Sequence, residues 1–412
     1  MKTIKFLFVV FLLLSTTLSA QENLIDRLLN ENNNLFDNVL TNIDSFEVQI
    51  IYTQINRDKN NFPVFTTYKY RVNPRKYFYP ASTVKLPVAI LAFEKLNDLK
   101  IDGLTKFTPL RIDSIRERQS SVVSDTSSEN GLPTIANYIK KIFLVSDNDA
   151  YNRLYEFVGQ KGINERLHSK GFKDVKIVHR FVGGLTPEDN RNTNPITFYQ
   201  EDKIIYHQSA QCNENTYQFE LNNLYKGIGY LDLKDSLVNK PFDFSGRNYI
   251  SLETLHGILK AVLFPEANSG NKKFNLTNDN YNFLNKYMSM TPRESRHPGY
   301  DSTYYDSYVK YFMFGDTREP MDGNIRIFNK VGMAYGYLTD VAYIVDFKNK
   351  VEFMLSAVIH VNKDGIYNDG IYEYNQIGIP FLANLGRVIY NHELNRIKKN
   401  LPKLDKFIID YK

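Results

Sequence analysis

Strand-like patterns lie near both ends of this 412-residue chain. Close to the N-terminus, FEVQIIYTQI and FPVFTTYKYRV flank the polar segment NRDKNN and predict a β-hairpin. Close to the C-terminus, NIRIFNKVG, YLTDVAYIVDF and VEFMLSAVIHV are also rich in β-branched and aromatic residues. Since mostly helical patterns fill the region between, we expect one sheet completed by both ends of the chain, with a helical region inserted in its middle. The predicted fold class is therefore α/β, of the α+β type.

The predicted helices are segments whose apolar residues recur at helical spacing. They are residues 23–42, TIANYIKKIFL, AYNRLYEFVG, SLETLHGILKAVLF, NYNFLNKYMSM and a closing helix over residues 377–397. Two stretches are irregular: residues 199–247, rich in Tyr, Asn and Gln, and the tyrosine-rich residues 296–316.

The first 20 residues have the pattern of a secretory signal peptide. Lys2 and Lys5 precede the apolar run FLFVVFLLL, which is too short to span a bilayer, and small and polar residues follow up to Ala20. No cysteine near the predicted cleavage site before Gln21 could carry a lipid. We therefore expect a domain over residues 21–412 that is secreted, to the periplasm or the extracellular space, without a stable membrane anchor.

Charge and composition argue against several function classes. A formal net charge of +5, with no run of Lys or Arg, gives no support for a nucleic-acid partner. The only cysteine, Cys212, cannot form an internal disulfide, and its segment HQSAQCNENT has no histidine arranged as a base, so a catalytic thiol is the less favoured interpretation. The seven histidines show no paired ligand spacing. We predict no metal site and no cofactor.

The segment YFYPASTVKLPVAILAFEKL begins a hydrophobic helix with a serine and a lysine three residues apart. Ser82 and Lys85 would share one helix face, and the free N–H groups of a helix N-terminus favour developing negative charge. The same spacing in the loop EANSGNKK lacks a helix. Ser307 and Lys310 lie in a strand-like pattern that would put them on opposite faces. Ser82 and Lys85 are therefore the candidate nucleophile and base.

Two further motifs follow in order along the chain. Ser146-Asp147-Asn148 lies in a turn between two helical patterns, and Lys330-Val331-Gly332 lies at the end of a strand pattern. A second K-x-G, in the polar turn at residues 363–365, lacks such a setting. Each motif alone could be structural, for instance a helix cap. Together, in this order, the motifs indicate a serine-based active site.

With these motifs the chain resembles the penicillin-recognising serine enzymes, most closely the class A β-lactamases and their exported relatives. That family carries S-x-x-K, S-D-N and K-[ST]-G in this order. The resemblance extends from the first hairpin to the last helix. It implies a β-lactamase-like fold, an antiparallel sheet plus an inserted all-helical domain, with the active site at their junction.

The resemblance also implies residue roles. Ser82 would be the acylated nucleophile, Lys85 its base and Ser146 a proton relay toward the leaving nitrogen. The implied substrate-binding residues are Asn148, Lys330, Gly332 and Met333. The N–H groups of Ser82 and Met333 would form the oxyanion hole. Lys85 can act as a base only if part of its population is neutral, a state that burial and the charge of Lys330 would both favour.

The chain departs from the family pattern in the loop after the S-D-N helices. Class A β-lactamases have a glutamate there that activates the deacylating water. In KIVHRFVGGLTPEDNRNTNP, Phe181 and Val182 take the places of the expected aromatic residue and glutamate. The only glutamate of this loop, Glu188, is close to its far end; a solvated acid is the favoured interpretation and a substitute base the alternative.

A second departure is Val331, which replaces the hydroxyl residue of K-[ST]-G that contacts the substrate carboxylate. Tyr335 and Thr339 are candidates to supply that contact. The segment between Ser146 and Lys330 is also longer than in compact family members, with extra length at about 199–247 and in the tyrosine-rich stretch. A long loop beside a site is often a lid or substrate platform; packing against the helical domain is an equal alternative.

We therefore predict an exported serine hydrolase that forms an acyl-enzyme on Ser82 and hydrolyses β-lactam or related amide bonds. The alternatives are a D,D-peptidase-like peptidoglycan enzyme and a binding protein that keeps the pocket without turnover. The expected ligand is a small-molecule β-lactam or a peptidoglycan-type peptide, and we expect a monomer.

Overall fold

The computed structural model of the protein describes residues 23–268 and 270–411, so the predicted signal peptide lies outside the described residues. In chain order, the helices are α1 Leu24–Glu31, α2 Asp37–Leu40, α3 Lys85–Leu99, α4 Ile135–Val145, α5 Asn148–Val158, α6 Gln160–Ser169, α7 Pro187–Arg191, α8 Leu252–Leu263, α9 Asn278–Ser289 and α10 Ile379–Asn395. The strands are β1 Gln49–Arg57, β2 Pro63–Tyr70, β3 Leu110–Ile112, β4 Val175–Lys176, β5 Ile196–Gln200, β6 Lys203–Gln208, β7 Tyr225–Lys226, β8 Gly229–Leu231, β9 Leu237–Val238, β10 Phe242–Asp243, β11 Tyr249–Ile250, β12 Ile325–Ala334, β13 Tyr337–Asp346, β14 Val351–His360 and β15 Ile366–Tyr367. None of these helices is long and apolar enough to cross a membrane.

Five antiparallel strands form the central sheet in the order β12–β13–β14–β1–β2. The N-terminal hairpin joins the three C-terminal strands where β1 pairs with β14, with Ile51 opposite Ser356. Alternate residues of β1 belong to two cores: Ile51 packs with the helical region, whereas Ile50 packs with residues of α1 and α10. The predicted sheet from both ends of the chain, and the fold class, are confirmed.

Helix α3 is the central helix of the inserted helical region. Every residue from Lys85 to Leu96 is buried, as expected of a helix that is mostly apolar all round. It packs against α4, α5 and α6. This central position explains how two lysines, Lys85 and Lys95, come to be buried within one helix.

The structure corrects two predicted elements. The helix predicted over residues 23–42 is interrupted by a 3₁₀ turn at Asn33–Leu35 and becomes α1 and α2. The strand-like pattern around Ser307 is wrong, because this stretch forms consecutive turns. The backbone N–H groups of Tyr311 and Phe312 donate to the buried carboxylate of Asp340 rather than to a neighbouring strand.

Within residues 199–247, strand β6 pairs with β5, whereas the short strands from β7 to β10 lie beside the end of the β12–β13 hairpin. Strand β8 pairs in parallel with β15, and β7 pairs with β10. Phe242 and Phe244 of this stretch each contact Tyr335, with ring centroids 5.5 Å apart. Tyr335 in turn contacts Tyr79 ahead of the Ser82 turn, at 4.9 Å between ring centroids. The extra segment therefore packs against the end of the β12–β13 hairpin, which lies beside the Ser82 turn.

Candidate active site

Ser82 lies in a 3₁₀ turn, Ala81–Val84, that leads directly into α3. The turn is fixed by Thr83, whose hydroxyl donates to the carbonyl oxygen of Pro80 at 2.7 Å. Ala81 has a φ of 46°, in the left-handed region that residues with a Cβ rarely adopt. Such strained backbone is common next to functional side chains. The turn presents Ser82, only partly buried, at the N-terminal end of a buried helix.

Lys85, one turn further on, is fully buried and makes three hydrogen bonds through Nζ. The acceptors are the carbonyl oxygen of Ser146, the Asn148 Oδ1 atom at 2.7 Å and the Ser146 Oγ atom at 3.4 Å. Burial lowers the pKa of Lys85 to about 7, although the carboxylate of Asp147 opposes this shift. Near neutral pH a large share of the Lys85 amines is therefore uncharged.

A neutral Lys85 amine has the right bonding capacity for a base. An ammonium group has three N–H donors and no acceptor. After losing one proton, the amine keeps two N–H groups, enough for the Ser146 carbonyl and the Asn148 side chain. Its lone pair is then free to accept a proton from a neighbouring hydroxyl.

Ser146 lies at the junction of α4 and α5, with a left-handed φ of 58°. The next residue, Asp147, caps α5 by accepting a hydrogen bond from the Ala150 N–H at 2.7 Å. These two helix ends turn the Ser146 hydroxyl toward both lysines: Lys330 Nζ donates to Ser146 Oγ at 2.8 Å, while Lys85 Nζ lies 3.4 Å from the same oxygen. Ser146 therefore bridges the two amines.

Lys330 is buried within β12, not at the strand end that the sequence pattern predicted, and also donates to the Val331 carbonyl oxygen at 2.8 Å. Burial lowers the pKa of Lys330 well below its usual value, and the nearby charge of Lys85 lowers it further. The amines of Lys85 and Lys330 and the hydroxyl of Ser146 thus form a hydrogen-bonded chain along which a proton can move. The S-x-x-K, S-D-N and K-x-G motifs, which are distant in sequence, meet at this hydrogen-bonded chain.

Gly332 allows β12 to approach the Ser82 turn closely. A Cβ at this position would lie 2.5 Å from the Pro80 carbonyl oxygen and 3.1 Å from the Ser82 nitrogen. Met333 follows on the same strand, which is an edge of the sheet and so has a row of N–H groups without a strand partner. The backbone nitrogen of Ser82 therefore lies next to the edge strand that carries Met333, as an oxyanion hole formed by the N–H groups of these two residues requires.

A cavity of about 290 Å³ opens beside Ser82, and Ser146, Asn148, Val331 and Met333 also line it. The opposite wall comes from the tyrosine-rich stretch and consists of Tyr305, Ser307, Tyr308, Val309, Tyr311 and Gly315. Of the two interpretations of that stretch, the substrate platform is therefore the favoured one. No residue lining this cavity in the described chain carries a charge.

Comparison with known sequences places the chain in a family. The sequence profile of the β-lactamase enzyme family matches residues 36–392. The chain belongs to this family. No curated protein sequence matches it significantly. As a β-lactamase family member it is a serine hydrolase of the β-lactamase-like type.

Solved β-lactamase structures are similar to this chain at low sequence identity. A β-lactamase from Xanthomonas campestris pv. campestris is 12% identical, with 90% of this chain and 98% of that chain covered and a TM-score of 0.50. A β-lactamase from Sphaerobacter thermophilus is 14% identical, with 86% and 94% covered and a TM-score of 0.47. The first of these similarities supports the fold alone.

In this family member, Phe181 is the loop residue that lies over the lysine. The Phe181 ring centroid is 5.1 Å from Lys85 Nζ, whereas Val182 is 49% exposed. The Asn152 side chain fixes this arrangement, because its Oδ1 atom accepts from the Phe181 N–H at 2.7 Å. Val182, which the sequence analysis put at the glutamate place, is thus mostly directed to solvent, and an apolar ring stands next to the base.

The other residues considered from the sequence lie elsewhere. The Glu188 side chain is 63% exposed and lies 4.0 Å from Arg116, so the interpretation as a solvated acid is favoured. Tyr335 and Thr339 do not line the Ser82 cavity, and Thr339 is buried. Cys212 is a free, exposed thiol. Within residues 23–268 and 270–411, no group of three or more His, Cys, Asp or Glu side chains could hold a metal ion.

Replacing Gly332 with alanine is expected to slow acylation of Ser82 by about 10²-fold, because the new methyl group would push β12 away from the turn. Stopped-flow acylation by a chromogenic cephalosporin measures this rate. Gly323→Ala is the matched control, since a Cβ there meets nothing within 4 Å. Equal rates in both variants would show that the close approach of Gly332 does not matter.

Proposed function

We propose that this protein is an exported enzyme that acylates Ser82 with a β-lactam or a peptidoglycan-type peptide amide. The observation that carries the proposal is the hydrogen-bonded chain from Lys85 through Ser146 to Lys330, next to Ser82 at the start of α3. A weak nucleophile such as a serine hydroxyl needs a base of this kind. Export rests on the residue pattern of positions 1–20, and N-terminal sequencing of the mature protein tests it.

Acylation would proceed through three proton transfers. Neutral Lys85 takes the proton from Ser82 as the serine oxygen attacks the amide carbonyl carbon, and the developing oxyanion accepts hydrogen bonds from the N–H groups of Ser82 and Met333. The carbon–nitrogen bond then breaks, and Ser146 donates its proton to the leaving nitrogen. Ser146 regains a proton from the amines bonded to it. The products are a Ser82 ester and an amine, which leaves from a cleaved peptide but stays attached to the ester in an opened β-lactam ring.

Deacylation lacks the loop glutamate of the family pattern, so only Lys85 or Glu188 could serve as its base. A water molecule that hydrolyses the ester must be held and deprotonated near the carbonyl carbon. The Phe181 ring, which lies over Lys85, can do neither. Glu188 is exposed and close to Arg116. This observation favours a second candidate function: a penicillin-sensitive peptidase or acyltransferase whose β-lactam adduct persists.

The uncharged cavity bears on which substrates fit. Val331 lines it where the family pattern has a hydroxyl. The Val331 side chain therefore supplies no hydrogen bond to a substrate carboxylate at this place. We propose substrates that also place an amide or apolar group against the tyrosines of the opposite wall.

The reaction course with a chromogenic cephalosporin tests the missing base. We expect a burst of one product per enzyme followed by slow turnover, and Phe181→Glu should speed the slow phase because it sets a carboxylate beside Lys85. Phe181→Gln is the matched control, with the same size and no base. Fast, linear hydrolysis by the unmodified protein would contradict the proposal that this loop lacks a base.

A further inference from the structure

A second cavity lies behind the loop that carries Phe181. Its volume is about 500 Å³, and it shares no lining residue with the Ser82 cavity. Four lysine and arginine residues line it, Lys176, Arg180, Arg191 and Arg247, and His179 lines it as well. No aspartate or glutamate is among its lining residues in the described chain. A concave surface lined by charges of one sign concentrates the electrostatic field and attracts ions of the opposite charge.

Two of these basic groups are not neutralised by a carboxylate. The Arg191 guanidinium donates to the backbone carbonyl oxygens of Asn213 and Asn215, at 2.7 and 2.8 Å, and both acceptors are neutral. Arg247 has no ion pair within the described part of the chain. Its guanidinium lies over the rings of Phe242 and Tyr335, at 5.5 and 6.0 Å from their centroids. Stacking of this kind holds the charge in place.

The other two basic groups, those of Arg180 and Lys176, each have an acidic side chain nearby. Arg180 forms an ion pair with Glu156 at 2.5 Å, but its Nε–H is buried without a hydrogen-bond partner. Lys176 donates to the Ser245 carbonyl oxygen at 2.7 Å. Burial lowers the pKa of Lys176, and the charge of Asp243 opposes this shift. Because their charges are partly balanced, these two groups contribute less to the field of the cavity than Arg191 and Arg247 do.

We propose that this cavity binds a small anionic molecule whose carboxylate or phosphate group is held by Arg191 and Arg247. Planar guanidinium groups match both anions in a two-point geometry. The volume suits a small organic ligand rather than a macromolecule. Because the wall includes Arg180 and Val182, the neighbours of Phe181, a bound anion would also hold the loop that covers Lys85. This site does not depend on the function proposed for Ser82.

Thermal unfolding of the full chain with low-millimolar inorganic phosphate or citrate, at ionic strength matched with sodium chloride, tests the site. We expect a saturable rise in Tm that is lost in Arg247→Gln and reduced in Arg191→Gln. Arg75→Gln, which removes an exposed arginine outside the cavity, should respond as the wild type does. Such anions stabilise many proteins weakly, so the difference between variants is the readout.

Comparing phosphate with citrate shows which kind of anionic group the cavity binds. A rise with phosphate alone indicates a phosphorylated ligand, and a rise with citrate alone indicates a carboxylic acid; either supports the site. Arg191→Gln gives an independent answer if Arg247→Gln does not fold. The same Tm rise in the wild type and in both arginine variants, or no rise with either anion, would overturn the proposal.

Discussion

Replacing Ser82 with alanine is expected to abolish covalent labelling by a fluorescent penicillin, because the change removes the only atom proposed to be acylated. Folding should persist, since the hydroxyl of Thr83, not that of Ser82, closes the turn onto the Pro80 carbonyl oxygen. Fluorescence of the denatured protein on a gel measures the label, and circular dichroism measures the fold.

Ser307→Ala is the control for this loss. Ser307 also has a lysine three residues later and also lines the cavity, but its hydroxyl donates to the Thr317 carbonyl oxygen. Lys310 is directed to the carbonyl oxygen of Met288 and to Asn329, away from Ser307. Labelling should therefore survive in Ser307→Ala. Labelling that survives in Ser82→Ala would show that the nucleophile lies elsewhere.

Replacing Lys85 with methionine is expected to slow acylation by about 10²–10⁴-fold, the usual cost of losing a general base. In the wild type, acylation should increase as the pH rises through about 7, because Lys85 must lose its proton before it can accept one from Ser82. The variant should lack that inflection. Stopped-flow acylation rates over a series of pH values give both results.

Lys95→Met is the matched control for removing a buried amine from α3. Lys95 Nζ donates to the Gln208 side chain at 2.5 Å, remote from Ser146, and burial lowers its pKa to about 8. Its loss should reduce stability but leave the pH profile of acylation unchanged. An inflection that persists near pH 7 in Lys85→Met would assign the base to another group.

The parts of the fold that the sequence predicted correctly have strong local signals. The β1–β2 hairpin and the long strands β12 to β14 follow from β-branched and aromatic runs bounded by polar turns. The motif residues could be recognised because the local pattern around each was clear: a helix start for Ser82, a turn for Ser146 and a strand for Lys330, although Lys330 lies within that strand and not at its end. Their meeting follows from a fold that brings the sheet edge against the start of α3.

What could not be predicted depends on contacts between distant segments. Phe181 rather than Val182 faces Lys85 because the Asn152 side chain, on α5, fixes the backbone of the loop. The strand pattern around Ser307 failed because the carboxylate of Asp340 takes the backbone N–H groups that a neighbouring strand would need. Neither contact leaves a periodic signal in the local sequence.

The central proposal, that Ser82 is the acylated nucleophile, is tested most directly by the intact mass of the wild-type protein after incubation with a penicillin. We predict that the mass increases by one penicillin and that this adduct persists after the free drug is removed, because Phe181, the loop residue over Lys85, cannot activate a water molecule. Peptide mapping should place the acyl group on Ser82. An unchanged mass, or an acyl group on any other residue, would contradict the proposal.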